Sequence, residues 1–149
     1  MKKIFAVTFV TLALLLFALA SYAPVQGSTQ SPDFVIQCYQ NTLMAEPGTS
    51  VEFRLSLVPV NGFRGTADFT CAAGGPGVAC QAPLASVRLA SDLVVPFAVK
   101  AGVVDPRATP GTYLIGVSVQ GHYQARIGSG NVSHNNKLYL TVVPRSIRP

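Results

Sequence analysis

Thr109-Pro-Gly-Thr-Tyr-Leu-Ile-Gly-Val-Ser-Val119 is the stretch that decides the fold of this 149-residue chain. It opens on a turn signal, Thr109-Pro110-Gly111, in which proline presets φ near −65° and glycine admits positive φ. From Tyr113 onward the residues alternate, with Tyr113, Ile115, Val117 and Val119 on one face. Period two marks a half-buried strand, because successive side chains of a strand point to opposite faces. The same alternation recurs in both directions along the chain. Phe34, Ile36 and Cys38 share a face, and so do Val51, Phe53, Leu55 and Leu57, with Glu52, Arg54 and Ser56 facing out. Ala67, Phe69 and Cys71 form a third set, Val87 and Leu89 a short one, Val95, Phe97 and Val99 a longer one, and Leu138, Leu140 and Val142 the last.

The breaks between these runs carry turn chemistry: Glu46-Pro47-Gly48, Asn61-Gly62, and the Gly74-Gly75-Pro76-Gly77 loop. About seven strands, with no helical periodicity after the N-terminal stretch, predict an all-β Greek-key sandwich of two sheets. Gly121–Asn136 is polar and glycine-rich and reads as a long hairpin connection or a ragged edge. No tandem repeat is visible.

The N-terminus reads as a secretory signal peptide over 1–27: Lys2 and Lys3, an apolar run from Ile4 to Ala20, then small residues. Cleavage is expected after Gly27, or alternatively after Ala20; an uncleaved anchor is the competing reading. Spanning a bilayer takes about 20 apolar residues, and Thr8 and Thr11 weaken this run, so no stable membrane span is expected after cleavage. Residues 28–32 read as a short linker, 33–144 as the domain and 145–149 as a flexible basic tail. Without Lys2 and Lys3 the balance is nine Lys and Arg against six Asp and Glu, scattered rather than clustered. A nucleic-acid partner is not expected, because such binders carry a basic stripe with interleaved aromatics.

In an exported chain, Cys71 and Cys80 either side of the glycine loop predict a disulfide tying one strand end to the next strand start. Closing a loop of this size contributes roughly 2.5 kcal/mol. Cys38 is in phase with Phe34 and Ile36, which favours a small buried hydrophobe; an intermolecular disulfide or a free reactive thiol is the alternative. Tyr113, just after Pro110-Gly111, sits where sandwiches place a tyrosine corner. Gly62 is the left-handed position of the Asn-Gly turn.

The order Asp33-Phe34, Pro47-Gly48, Pro59-Val-Asn-Gly-Phe-Arg-Gly65, Cys71…Gly77-Val78-x-Cys80, Thr109-Pro-Gly-Thr-Tyr113, His134 and Leu138–Val143 resembles the bacterial extracellular Ig-like domains. These recur in tandem in secreted and surface proteins and are appended to exported hydrolases. The resemblance covers nearly the whole of 33–144. It implies a spacer, stabilising, adhesive or binding role with no catalytic set to carry over. Cys38 departs from the family, and Asp92–Lys100 is poorer in serine and threonine than is usual there.

The residues themselves carry no catalytic, metal or cofactor constellation. Gly128-Ser129-Gly130 lacks the flanks of a nucleophile elbow. His122 and His134 are the two general-base candidates, and neither has an acidic neighbour in sequence; a backbone contact is expected for His134. Asn131-Val132-Ser133 fits a glycosylation sequon and reads as a turn. Phe63-Arg64 is the one local pair of a type that leads in binding hot spots, although the family turn folds that aromatic back onto the sandwich. The expectation is a secreted, periplasmic or cell-surface, non-catalytic Ig-like module with a protein or glycan partner at the envelope. An accessory subunit of an exported hydrolase or transporter is the alternative, and a small exported enzyme, in which a histidine converges with a carboxylate in a cleft, the second alternative.

Overall fold

The computed structural model describes residues 30–90, 93–125 and 128–145. The signal-peptide reading over 1–27 therefore lies outside the described residues, as do the basic tail beyond Arg145 and the first two residues of the linker. Nine strands follow one another: β1 Asp33–Cys38, β2 Thr42–Ala45, β3 Ser50–Val60, β4 Gly65–Ala73, β5 Val78–Gln81, β6 Val87–Leu89, β7 Val95–Val103, β8 Gly111–Ala125 and β9 Gly128–Val142. They form two sheets in the orders β1-β3-β7-β5 and β2-β9-β8-β4-β6, which makes the protein an all-β sandwich. All pairings are antiparallel except β2 with β9.

The strand count of about seven was too low for a physical reason. β2 and β5 are four residues each, at sheet edges, and each buries a single side chain, Ala45 and Val78 respectively. So short an edge strand carries almost no alternation to read.

The reading of Gly121–Asn136 as a loose connection is overturned. β8 and β9 pair without interruption from Gly111↔Val142 to Ala125↔Gly128. Period two is present, but in polar residues: Ser129, Asn131, Ser133 and Asn135 are exposed, while Gly130, Val132, His134 and Asn136 between them are half-buried. The Asn131-Val132-Ser133 sequon is thus strand, not turn. Two glycines make the ladder fit. A Cβ on Gly121 would lie 2.5 Å from a ring carbon of Phe34 and 2.8 Å from one of Phe63. One on Gly130 would lie 2.5 Å from the hydroxyl of Tyr123, its partner across the ladder.

The core is the set of in-phase residues anticipated from the alternation. Phe53, Leu55 and Leu57 from one sheet face Ile115, Val117 and Leu138 from the other, all essentially without solvent exposure. Phe69 on β4 and Phe97 on β7 meet across the sheets at a ring separation of 4.7 Å. Turn chemistry places the crossings. Asn61 and Gly62 have φ of 52° and 71°, and the Phe63 N–H donates to the Val60 carbonyl at 3.1 Å. That tight turn carries the chain from β3 in one sheet to β4 in the other. Gly48, at φ 84°, does the same work after Pro47, with the Thr49 N–H donating to the Glu46 carbonyl at 3.0 Å.

Gly121→Ala is expected to destabilise the domain by about 1–3 kcal/mol, the usual cost of overpacking a filled core. Gly116→Ala, on the same strand but with only ordinary contact to the Ala72 carbonyl at 3.9 Å, should stay within about 0.5 kcal/mol of wild type. Urea unfolding of the two variants checks this; equal midpoints would contradict the packing described.

Candidate functional site

The sandwich has two long seams, and several of the residues singled out in the sequence lie on them. Along one seam, Cys71 on β4 and Cys80 on β5 stand at disulfide distance, with Cα atoms 6.1 Å apart. Since β4 and β5 belong to different sheets, this pair links sheet to sheet. Along the other seam, the His134 ring on β9 meets the Asp33 carboxylate on β1 at 2.6 Å and lies edge-on to Phe34 at a centroid distance of 5.0 Å. His134 therefore engages a carboxylate, not the backbone. His134 lies within β9, six residues from its start, at a half-buried position that turns its ring across the seam.

Tyr113 donates its hydroxyl to the Thr109 carbonyl at 2.7 Å, spanning Pro110 and Gly111. Its ring lies against Gly75, where a Cβ would come within 2.6 Å. Gly62 holds the left-handed turn position and touches nothing else. Cys38 packs half-buried against the core, and burial pushes its thiol pKa up, partly offset by a backbone hydrogen bond at Gln40.

Phe63 is not a recognition residue. It is fully buried, edge-on to Phe34 at 5.3 Å and to Tyr123 at 5.7 Å, because the left-handed turn before it points its side chain into the end of the core. Arg64, one residue on, points the opposite way and stands on the rim of a cleft.

That cleft, about 760 Å³, lies on the outer face of the five-stranded sheet. The registers align Arg88 on β6, Thr66 on β4, His122 on β8 and Asn131 on β9 in one row across four strands. A second row, nearer the end of the sandwich, pairs Gln124 with Ser129. His122 is held from both sides. Its Nδ1 is 2.8 Å from the Asn131 amide oxygen and its Nε2 is 3.3 Å from the Asp68 carboxylate; Asp68 also accepts from the Ser86 hydroxyl. Arg64 and Arg88 have no hydrogen-bond or ion-pair partner among the described residues.

Both histidines thus converge with a carboxylate, which the small-enzyme alternative required. The geometry nevertheless gives neither a base's arrangement. A general base keeps one ring nitrogen for its orienting partner and the other for the proton it takes. In His122 both nitrogens already face fixed oxygens, and the Ser86 hydroxyl contacts Asp68, not the imidazole. His134 is spent on the seam. Among the described residues there is no group of three or more His, Cys, Asp or Glu suited to a metal.

No protein-family model matches this chain. No curated protein matches it either. Solved structures do. A PapD-like domain of human CEP192 is similar over 74% of this chain and 87% of its own, at 12% identity and a TM-score of 0.52. Domains 4 and 5 of the S-layer protein SbsC align over 75% of this chain at 15% identity and a TM-score of 0.49; the chain spans 53% of their length. AggA, the major subunit of an Escherichia coli aggregative adherence fimbria, aligns over 77% of this chain and 97% of its own, at 13% identity and a TM-score of 0.43. At such identities the likeness speaks of fold alone. The fold is an Ig-like β-sandwich.

None of the described residues forms a helix long and apolar enough to cross a membrane. Because burial raises the Cys38 pKa, the thiolate fraction near pH 7 is lower folded than unfolded. Iodoacetamide should therefore alkylate Cys38 more slowly in the native protein than in urea. Equal rates, followed by mass spectrometry, would contradict the half-buried setting.

Proposed function

We propose that this protein is an exported Ig-like module that acts by binding at the cell envelope and not by catalysis. The observation that carries the reading is the division of labour between core and surface. The turn residues, Tyr113, Phe63 and His134 are all engaged in closing the sandwich. The outer face of the five-stranded sheet instead holds a cleft with two arginines that have no partner among the described residues, beside hydroxyl and amide side chains. Such a face offers donors and acceptors to a ligand but no activated nucleophile. Export is supported by the Lys2-Lys3 and Ile4–Ala20 pattern and by a cysteine pair at disulfide distance, since such bonds persist in oxidising compartments.

The small-enzyme reading has one observation in its favour, the His122–Asp68 contact in the cleft, so the test must face it directly. A panel of glycosidase, esterase and peptidase substrates is expected to show no turnover that His122→Ala removes. Turnover lost in that variant would overturn the non-catalytic reading. Non-reducing mass spectrometry of protein recovered from the envelope or medium should find a mature chain beginning after Gly27 or Ala20, with Cys71 joined to Cys80. Reducing that bond should lower stability by about 2.5 kcal/mol. An intact N-terminus on cytosolic protein with three free thiols would contradict export.

A further inference from the structure

We infer that the cleft on the outer face of the five-stranded sheet binds a carboxylate-bearing sugar of an acidic glycan, with Arg64 and Arg88 as its anchors. This rests on the reading of the protein as a binding module and names the ligand class of that module's site. Three features of the cleft lead to it.

The first is charge without a partner. Arg64 directly precedes β4 and Arg88 lies on the neighbouring β6, and both line the cleft. Neither has a hydrogen-bond or ion-pair partner among the described residues. A guanidinium presents a planar fork of donors that matches a carboxylate or phosphate in bidentate fashion, and such charge-assisted bonds are the strong ones. The site is therefore set for an anionic group.

The second feature separates a sugar carboxylate from inorganic phosphate. Asp68 stands two residues along β4 from the Arg88 row, on the same face, accepting from Ser86 and contacting His122. A fixed carboxylate beside the arginines repels a doubly charged anion, yet it accepts readily from a hydroxyl. Thr66, Gln124 and Ser129 can each donate and accept. A phosphate only accepts in bulk of its contacts; a sugar ring offers hydroxyls that do both.

The third is shape. The cleft is an open, shallow volume of about 760 Å³ across four strands, within the roughly 300–1,000 Å³ usual for small-ligand sites. It runs from the edge strand β6 across the sheet face to β9, so the side chains of four strands, not one strand's backbone, make most of its surface. Tyr123, at an inward-facing position of β8, packs its ring on Phe63 and over Gly130 and so holds β8 and β9 in place beneath the cleft.

Isothermal titration of the exported protein with tetragalacturonate and with a sialyl-trisaccharide tests this, since the two carry the carboxylate on different sugar backbones. At least one is expected to bind. Its methyl ester should bind at least tenfold more weakly, and Arg64→Ala and Arg88→Ala should each weaken binding about tenfold, the effect of removing a charge-assisted hydrogen-bonding partner. Arg88→Lys, which keeps the charge but loses the fork, should fall between. Arg54→Ala, an equal charge change on the exposed face of the other sheet, should leave binding unchanged and controls for net charge. The inference is overturned if neither acidic glycan binds, or if esters bind as well as acids. Equal or tighter binding of inorganic phosphate or polyglutamate through the same arginines also overturns it. Failure of these titrations with no turnover leaves the binding-module reading standing. Glycan turnover would remove the non-catalytic reading while keeping the ligand class.

Discussion

Two phenylalanine rings meet over the backbone of Gly121, Phe34 arriving from β1 and Phe63 from the tight turn that ends β3. No side chain fits between them and that backbone, so β8 runs straight through the position where a bulkier residue would force it to bend away. The consequence reaches beyond the core. Once Gly121 faces inward, the period of the strand turns His122 and Gln124 outward, and the unbroken pairing sets Asn131 and Ser129 beside them. The aromatic cluster that seals one end of the sandwich therefore fixes the row of side chains on its outer face. Packing and surface chemistry are two sides of one strand.

The closure of the seams follows a similar economy. A two-sheet sandwich that is not a barrel leaves edges at which the sheets can splay. Here one edge carries the Cys71 and Cys80 pair between β4 and β5, and the other the Asp33–His134 contact between β1 and β9. The chain also changes sheet between β1 and β2, and β2 lies parallel on β9, with the Tyr139 N–H donating to the Asn41 carbonyl at 2.7 Å. A covalent tie and a polar tie thus act on opposite sides. His134 is taken up by the seam, and His122 faces the Asn131 and Asp68 oxygens on the open face of the sheet, where the proposed binding function lies.

Much of this was legible in the residues because large apolar side chains at period two admit one reading. Phe53-Leu55-Leu57 and Ile115-Val117-Val119 could not lie elsewhere than in the core. The outer half of β9 was not legible for the opposite reason. Its alternation is carried by Gly130, Val132, His134 and Asn136 against serine and asparagine, so hydrophobicity barely oscillates, and glycine was taken as a breaker where it serves as a seat for Tyr123. The cleft was hidden more deeply. Arg64 was noticed only as half of a pair whose other half, Phe63, turned out to be core. Asp68 and His122 share an outward phase that could have been noted, but the register of β4 on β8 that brings them together is set by long-range packing. No local signal ties Asp33 to His134, 101 residues apart.

Amide hydrogen exchange along β8, followed by NMR, addresses the central structural claim most directly. Residues Ile115–Tyr123 are paired with β4 on one side and β9 on the other. The account predicts that the amides of Gly121, His122 and Tyr123 exchange as slowly as those of Val117 and Val119, as one cooperative unit. Exchange at Gly121–Tyr123 near the rate of an unstructured chain, with Val117 and Val119 protected, would contradict it and remove the platform on which the cleft is built.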